Sequence, residues 1–195
     1  MPSQARLSPA ARREQLLFVA RDLLRSHPAG EVTVEAVATT AGVSPGLVFH
    51  YFGSQREFRR AVIEVAVAEL LSALQPSPGL SPADQLRAGL DKFTQAVAGS
   101  PELFLAVVRP GSGLADVHSG FRSVVGDWLR TGLGADGTAV TPVLDAALSG
   151  WLAFTEDVIL RWVTSDALTR QEVVELCSRA CLGFLDAAAI PESGL

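Results

Sequence analysis

Only two cysteines occur in the 195 residues, Cys177 and Cys181. That excludes a small secreted fold stapled by disulfides. Four residues apart on one helix, they fall two ligands short of a structural zinc site, and His27, His50 and His118 lie in separate segments. No metal and no cofactor are therefore expected, and buried free thiols are the expected state of the pair. Long apolar runs are missing too. The longest candidate, Ala146 to Thr155, is ten residues between Asp145 and Glu156, against the ~20 that cross a bilayer. Met1-Pro2-Ser3-Gln4 is polar and lacks the apolar stretch of a secretion signal. A cytoplasmic protein with no membrane partner is the expectation. No phosphate loop, G-x-S-x-G elbow or H-E-x-x-H occurs, so an enzymatic function has no positive support. Charged residues are scarce at 19 % against 48 % hydrophobic, which excludes disorder for the bulk of the chain.

What is present begins with an asymmetry of charge. The net charge is −5, yet residues 1–60 hold eight Arg against five acids, and residues 61–195 hold eight Lys+Arg against sixteen. A basic head on an acidic body suits a polyanion partner at one end only. Helix starts are unusually legible. Ser8-Pro9, Ser44-Pro45, Ser81-Pro82, Ser100-Pro101 and Thr141-Pro142 each set a capping side chain before a proline at the first helical position. Ser54-x-x-Glu57 and Thr169-x-x-Glu172 read as capping boxes, with Ser81-x-x-Asp84 a weaker version. With no strand-like alternation, the fold is expected to be all-α, with helices over 8–26, 33–40, 44–50, 54–75, 81–98, 101–108, 114–132, 141–164 and 169–188.

The informative stretch runs from Thr33 to Phe52. Thr33 caps a short helix whose buried positions are Val34, Val37 and Ala38, and small Ala38 lets a second helix come close. Gly42 supplies a left-handed helix end. Val43 packs under the turn, Ser44 caps a second short helix, and Pro45 opens it. Spacing and chemistry both describe a helix-turn-helix. In the second helix Val48 and Phe52 face the core, leaving Pro45, Gly46, Leu47, His50 and Tyr51 on other faces. The N-terminal residues of such a helix enter the major groove, and its positive end with the Ser44 hydroxyl suits a phosphate. Gly46 permits close approach, His50 can read a base or touch a phosphate, and Tyr51 can donate to one.

These residues resemble the DNA-binding domain of the TetR family of bacterial transcriptional repressors. The shared pattern is Thr33, Ala38, Ala41-Gly42-Val43-Ser44-x-Gly46, an aromatic cluster ending in Phe52, then Ser54 and Glu57, preceded by Arg13, Leu16, Ala20, Leu23 and Leu24. The resemblance covers roughly residues 10–65. It implies a three-helix head over 1–53, a helical ligand-sensing and dimerisation body over 54–195, and ligand-responsive repression of palindromic double-stranded operator DNA by a homodimer. Phe49 stands where a phosphate-binding Tyr is typical, and Gln55 where a Lys is typical. Neighbouring Arg56 recovers part of the lost charge. The departures keep open an alternative, a helical interaction protein of the same fold that has lost DNA binding.

In the body, Phe93, Phe104, Trp128, Trp151, Phe154 and Trp162 are bulky apolar groups on helical segments. They predict an apolar cavity between 81–98, 114–132 and 141–164 for a small apolar or aromatic effector, with Thr155, Glu156 and Arg109 orienting it. The apolar set Val173, Val174, Leu176, Cys177, Ala180, Cys181, Phe184 and Leu185 is wider than one contact needs, so its excess is expected to face a partner subunit.

Overall fold

The computed structural model describes residues 8–27, 31–76, 79–109, 111, 113–135, 141–165 and 167–189. Among them are nine α-helices and no strand: α1 Pro9–Ser26, α2 Val34–Ala41, α3 Pro45–Phe52, α4 Gln55–Leu74, α5 Pro82–Gly99, α6 Pro101–Val108, α7 Ala115–Ala135, α8 Pro142–Thr164 and α9 Arg170–Ala188. The starts follow the capping chemistry. Ser8, Ser44, Ser81 and Thr141 each accept from a backbone N–H three residues on. Thr169 and Glu172 complete a reciprocal capping box, whose hydrogen bonds from Thr169 hold the Glu172 carboxyl below its ordinary range. Ser100 is the exception. It ends α5 and begins α6 at once, and its hydroxyl makes no capping bond. Its own N–H is drawn back to the carbonyls of Ala96 and Val97, 3.2 Å from each, so the residue serves the preceding helix.

The chain divides into two compact units, Met1–Glu69 and Leu70–Leu195. The division falls later than residue 53 because the first half of α4 is built into the head: Phe58, Ala61 and Val62 join one buried cluster with Leu16 and Ala20 of α1, Val34, Val37 and Ala38 of α2, and Val48 and Phe52 of α3. Each fully buried side chain of this size stabilises the fold by ~1.5–3 kcal/mol. The Phe52 and Phe58 rings meet edge to face at 5.2 Å, which ties α3 to α4.

The body's core lies where α8, α9 and α5 meet, around Trp151, Val158, Ile159, Val173, Cys177 and Leu90. Trp151 Nε1 donates to the Cys177 carbonyl at 2.9 Å, so the indole is buried with its polar atom satisfied. Gly150 lets the Phe184 ring approach closely, since a Cβ there would stand 3.1 Å from it. The wide apolar arc of α9 is used inside the chain. Val173, Val174, Cys177 and Cys181 are buried against the body's own helices, because α9 packs on both α5 and α8. The apolar groups left exposed on α8 and α9 are Val143, Leu176 and Leu182. No helix among the described residues is long and apolar enough to cross a membrane.

Candidate nucleic-acid interface and effector cavity

The head presents α3 on a short, tightly held turn. Gly42 takes φ +66 at the end of α2, and the N–H groups of Gly42 and Val43 return to the carbonyls of Thr39 and Ala38 at 3.2 and 2.9 Å. Val43 is half-buried against the core, which sets the angle at which the chain enters α3. Ser44 Oγ accepts from Leu47 N at 3.3 Å, leaving the hydroxyl hydrogen free to donate. No acidic residue occupies the first turn of α3, so nothing of the helix's own neutralises its positive end. Val48 and Phe52 anchor the helix, while Pro45, Gly46 and His50 are exposed and Leu47 is half-buried.

Tyr51 is half-buried against the head core and meets the His50 ring edge to face at 5.3 Å. Arg56 is exposed at the start of α4. Thr33 accepts from Ala36 N at 3.1 Å as the cap of α2, which gives it a structural duty whatever else it touches. Arg12 donates to Gln15 Oε1 at 2.6 Å, and the Arg13 guanidinium stacks 5.0 Å from the Phe52 ring centre. Both side chains are thus engaged within the head. One exposed residue of α3 is apolar. Phe49, which registers in the sequence as a missing hydroxyl, is 37 % exposed on α3, an apolar group suited to a thymine methyl.

The body holds a cavity of about 410 Å³ walled by α5, α7, α8 and α9, with Leu74 at the end of α4. Phe93, Trp128, Trp151, Thr155 and Glu156 lie in its wall. Four expected residues do not, and one of them, Trp162, packs half-buried against the body core instead. Phe104 is buried in the core and touches the cavity only through Phe93, edge to face at 6.2 Å. Phe154 turns toward Phe184, at 6.4 Å between ring centres, on another face of α8. Arg109 caps the end of α6 and is exposed. The part of the wall overlooked in the sequence is α9, which contributes Cys181, Leu182 and Leu185; on α7, an expected wall, Phe121, Val125, Leu129 and Gly132 join Trp128 at helical spacing.

Glu156 is clamped. Its carboxylate meets His118 Nε2 at 2.8 Å and Arg122 Nη1 at 2.6 Å, while Arg122 Nη2 donates to the Ser149 carbonyl at 3.0 Å. These bonds lock α7 to α8 at one end of the cavity. At the other end Arg130 holds Asp145 and Asp127, which raises its own pKa. Cys181 is in the wall, and burial pushes its thiol up to about 11.

Comparison with known proteins agrees with this geometry. Residues 16–62 match the family of bacterial regulatory proteins of the tetR type. The HTH-type transcriptional regulator BetI of Stenotrophomonas maltophilia is 35 % identical over 83 residues, 41 % of this chain and 42 % of that one. The chain thus aligns with less than half the length of that relative. Among solved structures, a TetR-family transcriptional regulator of Streptomyces coelicolor matches with a TM-score of 0.77 at 21 % identity, over 94 % of this chain and 84 % of its own. Thermus thermophilus FadR, a TetR-family repressor in complex with lauroyl-CoA, matches at 0.64 and 19 % identity over 94 % and 98 %. RolR in complex with resorcinol matches at 0.64 and 17 % identity over 94 % and 95 %.

Proposed function

We propose, from a head sequence that matches the tetR family of bacterial regulatory proteins and a whole-chain fold like that of a TetR-family regulator, that the chain represses transcription by binding palindromic operator DNA as a homodimer until a small effector fills the body. The observation that carries the reading is the exposed N-terminal face of α3, with Pro45, Gly46 and His50 presented over a solid core and no acid in the first turn. A helix so short reads only a few base pairs, too few to single out a site in a genome. Two-fold symmetry doubles the site, with recognition helices roughly 34–36 Å apart.

The dimer is assigned to α8 and α9, whose exposed Val143 and Leu176 would bury against the same helices of a second copy as a four-helix bundle. The cavity is assigned to the effector, an apolar or aromatic small molecule, because its wall is largely leucine, phenylalanine and tryptophan. Proteins of this fold have been captured with lauroyl-CoA and with resorcinol, so the architecture accommodates small molecules. An effector releases DNA only by binding the DNA-free arrangement of the two heads more tightly than the DNA-bound one.

Selection of bound duplexes from random DNA tests the head. A palindrome with half-sites one helical turn apart is expected. Failure to enrich any sequence, with the chain folded, would favour the interaction-protein alternative that Phe49 and Gln55 motivate.

A further inference from the structure

We infer that the effector is an uncharged, elongated apolar molecule carrying one hydroxyl-type group, and that this group is read by Thr155 at the end of the body cavity lined by Phe93 and Phe121. The inference rests on the reading of that cavity as the effector site.

The first ground is shape. Positions from Pro82 to Phe93 on α5 face the cavity, a span of ~16 Å at ~1.5 Å per residue. Phe93 and Phe121 stack at 5.5 Å, so the start of the α7 wall meets the end of the α5 wall. The Glu156 bonds to His118 and Arg122 bring the end of the α8 wall to the same place. The cavity is therefore a slot along the helices, with Phe93, Phe121, Thr155 and Glu156 gathered at one end.

The second ground is the accounting of polar groups in the wall. Gln85 Nε2 donates to the Leu80 carbonyl, and Ser81 is occupied in capping with Asp84. Glu156 is a carboxylate already balanced by Arg122, with His118 as its second partner. An anionic ligand at this end would face Glu156, and a cationic one would have to compete with a guanidinium that also holds the Ser149 carbonyl. Charge of either sign is thus penalised. Thr155 is different. It is 4 % exposed, and its Oγ1 has no nitrogen or oxygen partner. Its polar neighbour is the Cys177 thiol, whose pKa is raised by burial and lowered in part by a side-chain hydrogen bond with Thr155, and a thiol is a weak partner that leaves the hydroxyl's capacity largely unused. Threonine hydroxyls in helices usually bond a carbonyl of the preceding turn; this one is left over. A buried polar group without a partner is costly, and a ligand that supplies the partner recovers that cost. A ligand hydroxyl can accept from Thr155, and Glu156, the next residue along α8 and also in the wall, offers spare lone pairs within the same end of the cavity.

The test uses three ten-carbon probes of equal chain and different head: 1-decanol, decanoate and decyltrimethylammonium. Each is titrated into the full chain below its micellar concentration, and binding is read from tryptophan emission, since Trp128 and Trp151 are in the wall. At pH 7 1-decanol is expected to bind at least tenfold more tightly than either ion. Thr155→Val, which keeps the shape and removes the hydroxyl, should weaken 1-decanol binding about tenfold, and Thr155→Ser should restore it. The ions should bind the valine variant as they bind the parent. Equal binding of all three heads, or an unchanged 1-decanol affinity in Thr155→Val, would overturn the inference while leaving the cavity as the effector site. No response to any probe would remove the cavity reading, and the inference with it.

Discussion

Head and body are built from the same material, capped α-helices, yet they solve opposite problems. In the head the inward residues of all four helices close into a solid cluster, with Leu16, Ala20, Val34, Val37 and Val48 wholly buried. In the body the centre is only partly filled. Trp151 and Cys177 are buried, but Phe93, Trp128 and Leu152 are half-buried around about 410 Å³ of space. A recognition surface needs fixed side chains, and a sensor needs a void whose filling changes its energy. The proposed division of tasks follows this difference between the units.

The largest effects should come from treating the two interiors alike. Phe58→Ala in the head removes a ring that is 1 % exposed and should cost ~3–5 kcal/mol, abolishing DNA binding. Trp128→Ala in the cavity wall removes a larger group that already lacks neighbours on one side, and should cost about half as much. Thermal denaturation of both variants makes the comparison; equal losses would mean that the cavity is packed in solution.

Next come the surfaces. Leu176→Arg places a charge on the exposed face of α9 and should yield folded monomers in sedimentation experiments, with operator affinity reduced at least a hundredfold. Cys181→Arg, which the apolar pattern of α9 alone would suggest for the same purpose, should instead unfold the body, because Cys181 is interior. A dimeric Leu176→Arg protein would move the interface elsewhere.

Smaller effects separate fold from recognition within the head. A Cβ at Gly46 would meet only Ser44 Oγ, at 3.9 Å. Gly46→Ala should therefore leave stability unchanged or raised by up to ~1 kcal/mol while weakening DNA binding. Gly42→Ala meets no atom either, but must adopt φ +66, and should destabilise by ~1 kcal/mol or more. Gln55→Lys should tighten binding to all duplexes and steepen the salt dependence by about one unit of slope. An unchanged slope would show that this side chain does not reach the backbone.

One further effect is confined to the body and to alkaline pH. The Cys181 thiol titrates near 11 in the folded chain because it is buried. A raised pKa means that the native state holds its proton longer than the unfolded chain does. The stability tied to the neutral thiol is complete below the ordinary thiol range and is lost as pH rises from about 9 to about 11. Denaturant titrations across that window should show the decline, and Cys181→Ala should flatten it.

How much of this was legible in the sequence follows the range of the interactions. Capping and turn chemistry are local, so the helix starts at Ser44, Thr141 and Thr169 and the left-handed Gly42 are written in a few adjacent residues. Ser100 misleads because a serine before proline looks the same whether its hydroxyl caps the next helix or its N–H closes the last one. The site in the head is compact in sequence, and its exposed and buried positions follow from helical spacing. The cavity is not. Size and hydrophobicity pick out Phe93, Trp128 and Trp151, but equally Phe104 and Phe154, and only packing decides which ring turns toward the space. The clamp on Glu156 joins residues 34 and 38 positions apart, a separation that carries no local signal. The apolar arc of α9 is divided: Val173, Val174, Cys177 and Cys181 pack into the chain's own core, while Leu176 stays exposed, and periodicity alone does not separate the two.

The proposed function requires the solid unit and the hollow unit to be coupled. It is tested most directly by the affinity of the dimer for its selected palindromic duplex, read by fluorescence anisotropy without and with a saturating cavity ligand found by thermal shift. Linkage predicts that the ligand weakens DNA binding at least tenfold and that DNA weakens ligand binding by the same factor. An operator affinity that does not move when the cavity is full would contradict it.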